Sequence, residues 1–100
     1  MRVGIVGLGL IGGSVARRLA PAHEVVGWDA DGPTRELARA AGLRVAGSVE
    51  EAATGADVAV VATPLGQMAT VLTTLSTSDC RVVTDVGLFL HRLAEALREN

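Results

Sequence analysis

The chain contains no lysine and no tyrosine, and all nine of its basic side chains are arginines. A phosphate-binding P-loop needs a lysine, a Schiff-base enzyme needs an amine, and a short-chain dehydrogenase of the Tyr-Lys type needs both, so all three are excluded. Aromatic residues make up 2% of the 100 residues, and the net charge of −2 is spread over scattered Arg, Asp and Glu. With no basic patch and almost nothing to stack on a base, no nucleic-acid partner is expected. Although 49% of the side chains are apolar, no uninterrupted run reaches the ~18–20 residues of a spanning helix, so no membrane partner is expected either. The single cysteine, Cys80, has no internal disulfide partner and reads as a quiet, half-buried thiol. The chain begins directly on an apolar strand, which leads to the expectation of no leader and a cytoplasmic setting. No paired carboxylates, metal-ligand cluster or nucleophile–base set can be read, so no catalytic or metal-binding residue is assigned. His23 is expected to be solvated in the turn before a strand, far from the strand carboxyl ends, and His91 on the outer face of the last helix.

What the chain does have is glycine, twelve in all. Val3 to Ser14 read V-G-I-V-G-L-G-L-I-G-G-S, an apolar strand running into Gly7-x-Gly9-x-x-Gly12 and then a helical pattern. Gly7 permits a sharp turn off the strand, Gly9 permits close approach of a diphosphate, and Gly12 permits close helix–sheet packing. The first helical amides, near Leu10 and Ile11, lack partners in their own helix, and the helix dipole adds positive charge there. A second apolar strand, Glu24 to Trp28, ends in Asp29, about 20 residues past the turn, where a carboxylate meets the adenosine ribose of a dinucleotide. A carboxylate accepts from two ribose hydroxyls and repels a 2′-phosphate, so the cofactor expected is NAD rather than NADP; Arg35 is the nearby cation able to blunt that preference.

Periodicity alternates strand and helix throughout. Helix one runs from about Leu10 to Pro21, with Ile11, Val15 and Leu19 inward. Helix two opens at Asp31-Gly32-Pro33, buries Leu37, Ala38 and Ala41, and closes at Gly42. A short strand covers Leu43 to Ala46, and Ser48-x-x-Glu51 is a capping box for a short helix. Strand four spans Asp57 to Ala62. Thr63-Pro64 caps a helix with Met68, Val71, Leu72 and Leu75 as core. Strand five spans Arg81 to Val86 and leads into a last helix with Leu90, Leu93, Ala94 and Leu97 inward. Strands apolar on both faces, separated by helices, predict an α/β fold. The expected form is a Rossmann-like doubly wound parallel sheet of about five strands in the order 3-2-1-4-5, helices on both faces, with residues 1–100 forming one dinucleotide-binding domain. The ligand then lies across the strand carboxyl ends, where the glycine turn, Thr63-Pro64-Leu65-Gly66 and Thr84-Asp85-Val86-Gly87 converge. Pro64 both starts a helix and fixes the chain beside the nicotinamide ribose, while Asp85 is read as a cap or loop brace rather than an acid catalyst.

The residues Gly7-Leu8-Gly9-Leu10-Ile11-Gly12-Gly13-Ser14, Val26-Gly27-Trp28-Asp29, Ala62-Thr63-Pro64 and Val83-Thr84-Asp85-Val86-Gly87 resemble the N-terminal part of prephenate and arogenate dehydrogenases. The resemblance implies oxidative decarboxylation in tyrosine biosynthesis, with hydride passing from the substrate ring to NAD. The cofactor-binding set expected is Gly7, Leu8, Gly9, Leu10, Ile11, Gly12, Asp29, Ala62, Thr63, Pro64 and Asp85. After Gly87 the family usually continues Ser-Val-Lys, whereas this chain reads Leu88-Phe89-Leu90, lacking a hydroxyl and an amine. In that family the catalytic histidine lies farther on, in a Gly-His-Pro context, and the substrate pocket and dimer interface belong to a helical second domain. The chain therefore corresponds to about the first third of such an enzyme. It is expected to bind NAD, and a small-molecule substrate only once a second domain is supplied. Two alternatives stand beside this reading: a stand-alone NAD-binding module without turnover, and the cofactor domain of a related imine or hydroxy-acid dehydrogenase. Val82 and Val83 on an outer strand also suggest self-association through that edge.

Overall fold

A computed structural model describes residues 1–86 and 95–98. Five strands and four helices alternate in the order β1 (Arg2–Val6), α1 (Leu10–Leu19), β2 (Glu24–Trp28), α2 (Gly32–Ala40), β3 (Arg44–Val45), α3 (Val49–Ala53), β4 (Val58–Val61), α4 (Leu65–Leu75) and β5 (Val82–Asp85). The sheet is parallel throughout, in the order β3-β2-β1-β4-β5, as the periodicity requires. Val6 pairs with Trp28 on one side and with Val61 on the other, so β1, β2 and β4 end level and deliver their following turns to one edge.

Each face of the sheet is covered by its own apolar cluster, as expected where parallel strands are buried on both sides. On one face Val3, Ile5, Leu8, Ala16 and Val25 form the core, with Val15, Leu19, Ala38 and Leu43 packed against it. On the other, Val6, Val26, Ala59 and Val61 meet Ala52 and Ala53 of α3 and Met68, Val71 and Leu75 of α4. Burying a side chain of this size fully contributes about 1.5–3 kcal/mol. Glycine sets the spacing beneath α3, because a Cβ on Gly4 of β1 would stand 2.4 Å from the carbonyl oxygen of Ala52.

Local chemistry sets the helix limits. Pro33 occupies the first turn of α2, where its missing N–H is no loss, and the Asp31 side chain accepts from the Thr34 amide as N-cap. The Ser48 hydroxyl likewise accepts from the Glu51 amide, but the Glu51 carboxylate returns to the amide of Gly47, one residue earlier than a regular capping box requires. Thr63 does not cap α4: Pro64 takes the N-cap position, and α4 starts without a side-chain cap.

The expected burial of α2 is corrected. Leu37 is 73% exposed, Ala41 is exposed, and no residue of α2 is buried. The apolar residues that α1 and its C-cap offer to this groove are Gly13, Ala16 and Ala20, which are too small to reach across, and the one long side chain beside them is the charged Arg17, so Leu37 overhangs the groove instead of filling it. Strands β3, β4 and β5 are each shorter than their apolar runs. Residues 95–98 form a helical turn whose side chains are all exposed, and Leu97, expected inward, is 68% exposed. Gly87, Leu90, His91, Leu93 and Ala94 lie outside the described residues. His23 is half-buried rather than solvated, and its Nδ1 is buried without a hydrogen-bond partner among the described residues. Cys80 is half-buried against the core, with its Sγ 3.0 Å from the carbonyl of Val82. Among the described residues no helix is long and apolar enough to cross a membrane.

Candidate functional site

At the carboxyl edge of the sheet, the turns after β1, β2 and β4 enclose a cleft of about 470 Å³. It is lined by Gly7, Gly9, Leu10, Ile11, Asp29, Ala30, Asp31, Ala62, Thr63, Pro64 and Gln67. The three glycines of the first turn are required for different reasons. Gly7 has φ +99°, and a Cβ there would stand 2.6 Å from the carbonyl carbon of Ala62. At Gly12 a Cβ would fall 1.7 Å from the Gly7 carbonyl oxygen, so the start of α1 rests directly on the turn. Gly9 has φ −69°, a value open to any residue, and a Cβ there meets nothing within 4 Å. The protein itself thus has no steric need for glycine at position 9; the space beside it belongs to the cleft.

Gly9 is the N-cap of α1 and carries no side chain to serve the helix's first amides. Its carbonyl accepts from Gly13 N, so the amides of Leu10, Ile11 and Gly12 have no acceptor one helical turn back. With the helix dipole behind them they form an anion-binding end. Opposite, Thr63 is 6% exposed and its hydroxyl has no partner among the described residues. A buried unsatisfied hydroxyl costs about 1–3 kcal/mol, so its place in the cleft wall fits a polar ligand group.

The acidic end of the cleft is more densely bonded than the motif implies. Asp29 accepts from the Leu8 amide through Oδ2 and from the Asp31 amide through Oδ1, both at 2.8 Å. The Asp31 carboxylate accepts from the hydroxyl and the amide of Thr34. The Thr34 hydroxyl, then its amide, hold the Asp31 carboxyl below its ordinary value, opposed by desolvation and aided least by the charge of Arg35. Arg35 donates from Nη1 to the Asp29 carbonyl at 2.6 Å, and its guanidinium lies over the Trp28 ring, 6.0 Å from the centroid.

Of the expected cofactor-binding residues, Gly7, Gly9, Leu10, Ile11, Asp29, Ala62, Thr63 and Pro64 line this cleft together. Gly12 lies just beneath the turn. Leu8 is 8% exposed, with its side chain turned under the loop against Gly27. Asp85 ends β5, pairs in register with Val61, and does not line the cleft. Ala30, Asp31 and Gln67 join the lining although the motif does not point to them. Asp31 had a signal, since a carboxylate two residues past Asp29 and just before Gly32-Pro33 must cap α2 at this edge. Gln67 had none beyond its place in the first turn of α4. A groove of about 480 Å³ between α1 and α2 is equally large, but it runs along the helices toward Pro21 and Gly42, away from the converging turns. No group of three metal-ligating side chains occurs among the described residues.

Residues 2–87 match the family described as NADP oxidoreductase, coenzyme F420-dependent. The chain belongs to that family. It is an NAD(P)-binding oxidoreductase domain. Among solved structures it is similar to a putative prephenate dehydrogenase from Corynebacterium glutamicum, at 30% identity and a TM-score of 0.72 over 84% of this chain and 28% of that one. It is also similar to the arogenate dehydrogenase of Synechocystis, at 30% identity and a TM-score of 0.63 over 85% of this chain and 32% of that one. UDP-N-acetylglucosamine 3-dehydrogenase from Acidithiobacillus ferrooxidans shares the fold at 21% identity and a TM-score of 0.71, over 84% of this chain and 28% of the other. The chain thus spans under a third of the length of each of these proteins. No curated protein is similar enough in sequence to be matched.

Proposed function

We propose that this domain binds NAD for a prephenate dehydrogenase-like oxidoreductase of tyrosine biosynthesis. The observation that carries the cofactor reading is the meeting, around one cleft, of the free first amides of α1, the unpartnered Thr63 hydroxyl and the Asp29 carboxylate. The amides receive the diphosphate, Asp29 receives the adenosine ribose, and Thr63 and Pro64 flank the path toward the nicotinamide end. When bound, NAD supplies a hydride acceptor for the substrate ring as carbon dioxide departs.

The choice of NAD over NADP rests on charge. Asp29 and Asp31 place two carboxylates at the sugar end, and Asp31 is held ionised by its hydrogen bonds. A 2′-phosphate placed there would meet like charge from both, a repulsion that disfavours NADP. Arg35 is engaged by the Asp29 carbonyl and the Trp28 ring.

The prephenate assignment is supported by the Gly7-to-Ser14 string, by the Thr84-Asp85-Val86-Gly87 segment and by 30% identity to two solved proteins whose names are those of prephenate and arogenate dehydrogenases. Among the described residues that line the cleft, the titratable groups are Asp29 and Asp31, both already committed to backbone amides or helix capping. That favours a second reading for the chain by itself, a module that holds cofactor without turning substrate over. Titration calorimetry with NAD and NADP tests the cofactor reading, with NAD expected to bind severalfold tighter and no heat from either refuting it. Reduction of NAD in the presence of prephenate or arogenate decides between enzyme and module, and a panel of imines and hydroxy acids tests the substrate class.

A further inference from the structure

We infer that Asp29, besides receiving the ribose, is the positioning residue of the diphosphate turn, so that recognition of the sugar and of the phosphates depends on one carboxylate. The inference rests on the NAD-binding reading of the cleft and deepens it.

The turn is fastened to the end of β2 at three successive points. The Gly7 amide donates to the Trp28 carbonyl at 2.8 Å. The Leu8 amide donates to Asp29 Oδ2 at 2.8 Å. The Leu8 side chain, 8% exposed, lies on Gly27, where a Cβ would stand 2.8 Å from Leu8 Cδ2. Of the three, only the middle fastening depends on a polar side chain, and it joins an ionised acceptor to a backbone donor, the stronger kind of hydrogen bond. The other carboxylate oxygen holds the Asp31 amide of the next loop. One side chain therefore sets the distance between the glycine turn and the loop that opens α2. Each oxygen retains a lone pair, so both fastenings are compatible with a ribose hydroxyl on the same carboxylate. With its amide turned to Asp29, Leu8 cannot donate to an anion, which leaves the amides of Leu10, Ile11 and Gly12 to do so. Without the carboxylate the Leu8 amide has lost its acceptor, and the turn that presents those three amides is held to β2 only by the Gly7 amide and the Leu8 side chain.

A ligand without ribose hydroxyls separates the two roles. 2′,3′-Dideoxy-ADP carries the diphosphate but neither hydroxyl, so a purely sugar-binding Asp29 makes no hydrogen bond to it, and losing its negative charge could only tighten binding of the anion. Asp29→Ala is expected to weaken 2′,3′-dideoxy-ADP by tenfold or more in calorimetry and to speed hydrogen exchange at the Leu8 amide. Equal affinity of the substituted and unsubstituted chains for dideoxy-ADP, with ADP alone telling them apart, would overturn the inference while leaving NAD binding intact. Asp29→Asn keeps one oxygen and can satisfy only one of the two amides; should the alanine variant not fold, its dideoxy-ADP affinity is the deciding measurement. A loss of several-fold is expected, and no loss overturns the proposal. If the unsubstituted chain binds neither NAD nor ADP, the reading of the cleft fails first and this inference falls with it.

Discussion

Alanine at Gly9 and alanine at Gly12 are expected to damage different properties of the protein. At Gly9 the added methyl enters open space, and φ is −69°, so the native backbone needs little adjustment. The reduced freedom of the unfolded chain stabilises by about 0.4–1 kcal/mol, while alanine is a poorer N-cap than glycine by a similar amount. The two effects nearly offset, and the melting temperature should move by less than about 8 °C for a domain of this length. At Gly12 the methyl would fall 1.7 Å from the Gly7 carbonyl oxygen, where ordinary contact begins at 3.4 Å. Helix α1 must then lift off the turn, at a cost of about 1–3 kcal/mol or more, with a correspondingly larger fall in melting temperature. Binding reverses the order of interest. A methyl at Gly9 stands where the diphosphate must approach, and losing even one charge-assisted amide contact, about 1.5–3 kcal/mol, weakens NAD between tenfold and a hundredfold. Valine at Gly9 should abolish binding with the fold kept. The assays are thermal denaturation followed by calorimetric titration with NAD. If Gly9→Ala destabilises as much as Gly12→Ala, or binds NAD like the unsubstituted chain, then the space beside Gly9 is not reserved for ligand and the argument fails.

Thr63→Val removes the unpartnered hydroxyl at nearly constant volume, so the melting temperature should rise while NAD binding weakens about two- to tenfold; a fall in stability would show that the hydroxyl is satisfied. Ser48→Ala should cost about 1 kcal/mol through loss of the α3 cap, lowering the melting temperature by about 4–8 °C. Because the Asp31 carboxyl is held below its unfolded value, its contribution is fully present above the unfolded carboxylate range and is lost as pH falls through its folded value. Protection of the Thr34 amide, taken relative to its intrinsic exchange rate at each pH, should therefore fall on acidification in the unsubstituted chain and show no such step in Asp31→Ala. Val82, 53% exposed on β5, the outer strand of the described sheet, should support concentration-dependent self-association in sedimentation, reduced by Val82→Glu; a monomer at high concentration rejects that edge as a contact.

The topology could be read from the chain because each parallel strand is apolar and each boundary carries Gly, Pro or a capping residue. Glu24–Trp28 appears at its expected limits, and Met68, Val71 and Leu75 are buried as their spacing requires. Leu37 was misplaced for a physical reason: helical periodicity says which face is apolar, not whether the opposite helix has side chains long enough to cover it. The small residues of α1 decide that, and they are visible only once α1 and α2 stand side by side. The cleft was legible as a set of turns, and most of its lining follows from them. The bonds of Asp29 to Leu8 and Asp31 were not, since a motif records residue types and not which lone pairs the backbone has already taken. The unused hydroxyl of Thr63 was hidden likewise, because Thr before Pro at a helix start looks like a cap.

That hydroxyl has a consequence beyond recognition. A fold that closes over an unmet donor is at its least stable when empty, so any ligand that supplies an acceptor raises the melting point of the whole chain. Saturation at a hundred times the dissociation constant contributes about 2.7 kcal/mol, which for a domain of this length is about 11–22 °C. Supply of the dinucleotide would then govern how long each copy survives proteolysis, and the loaded molecules would be the ones that persist.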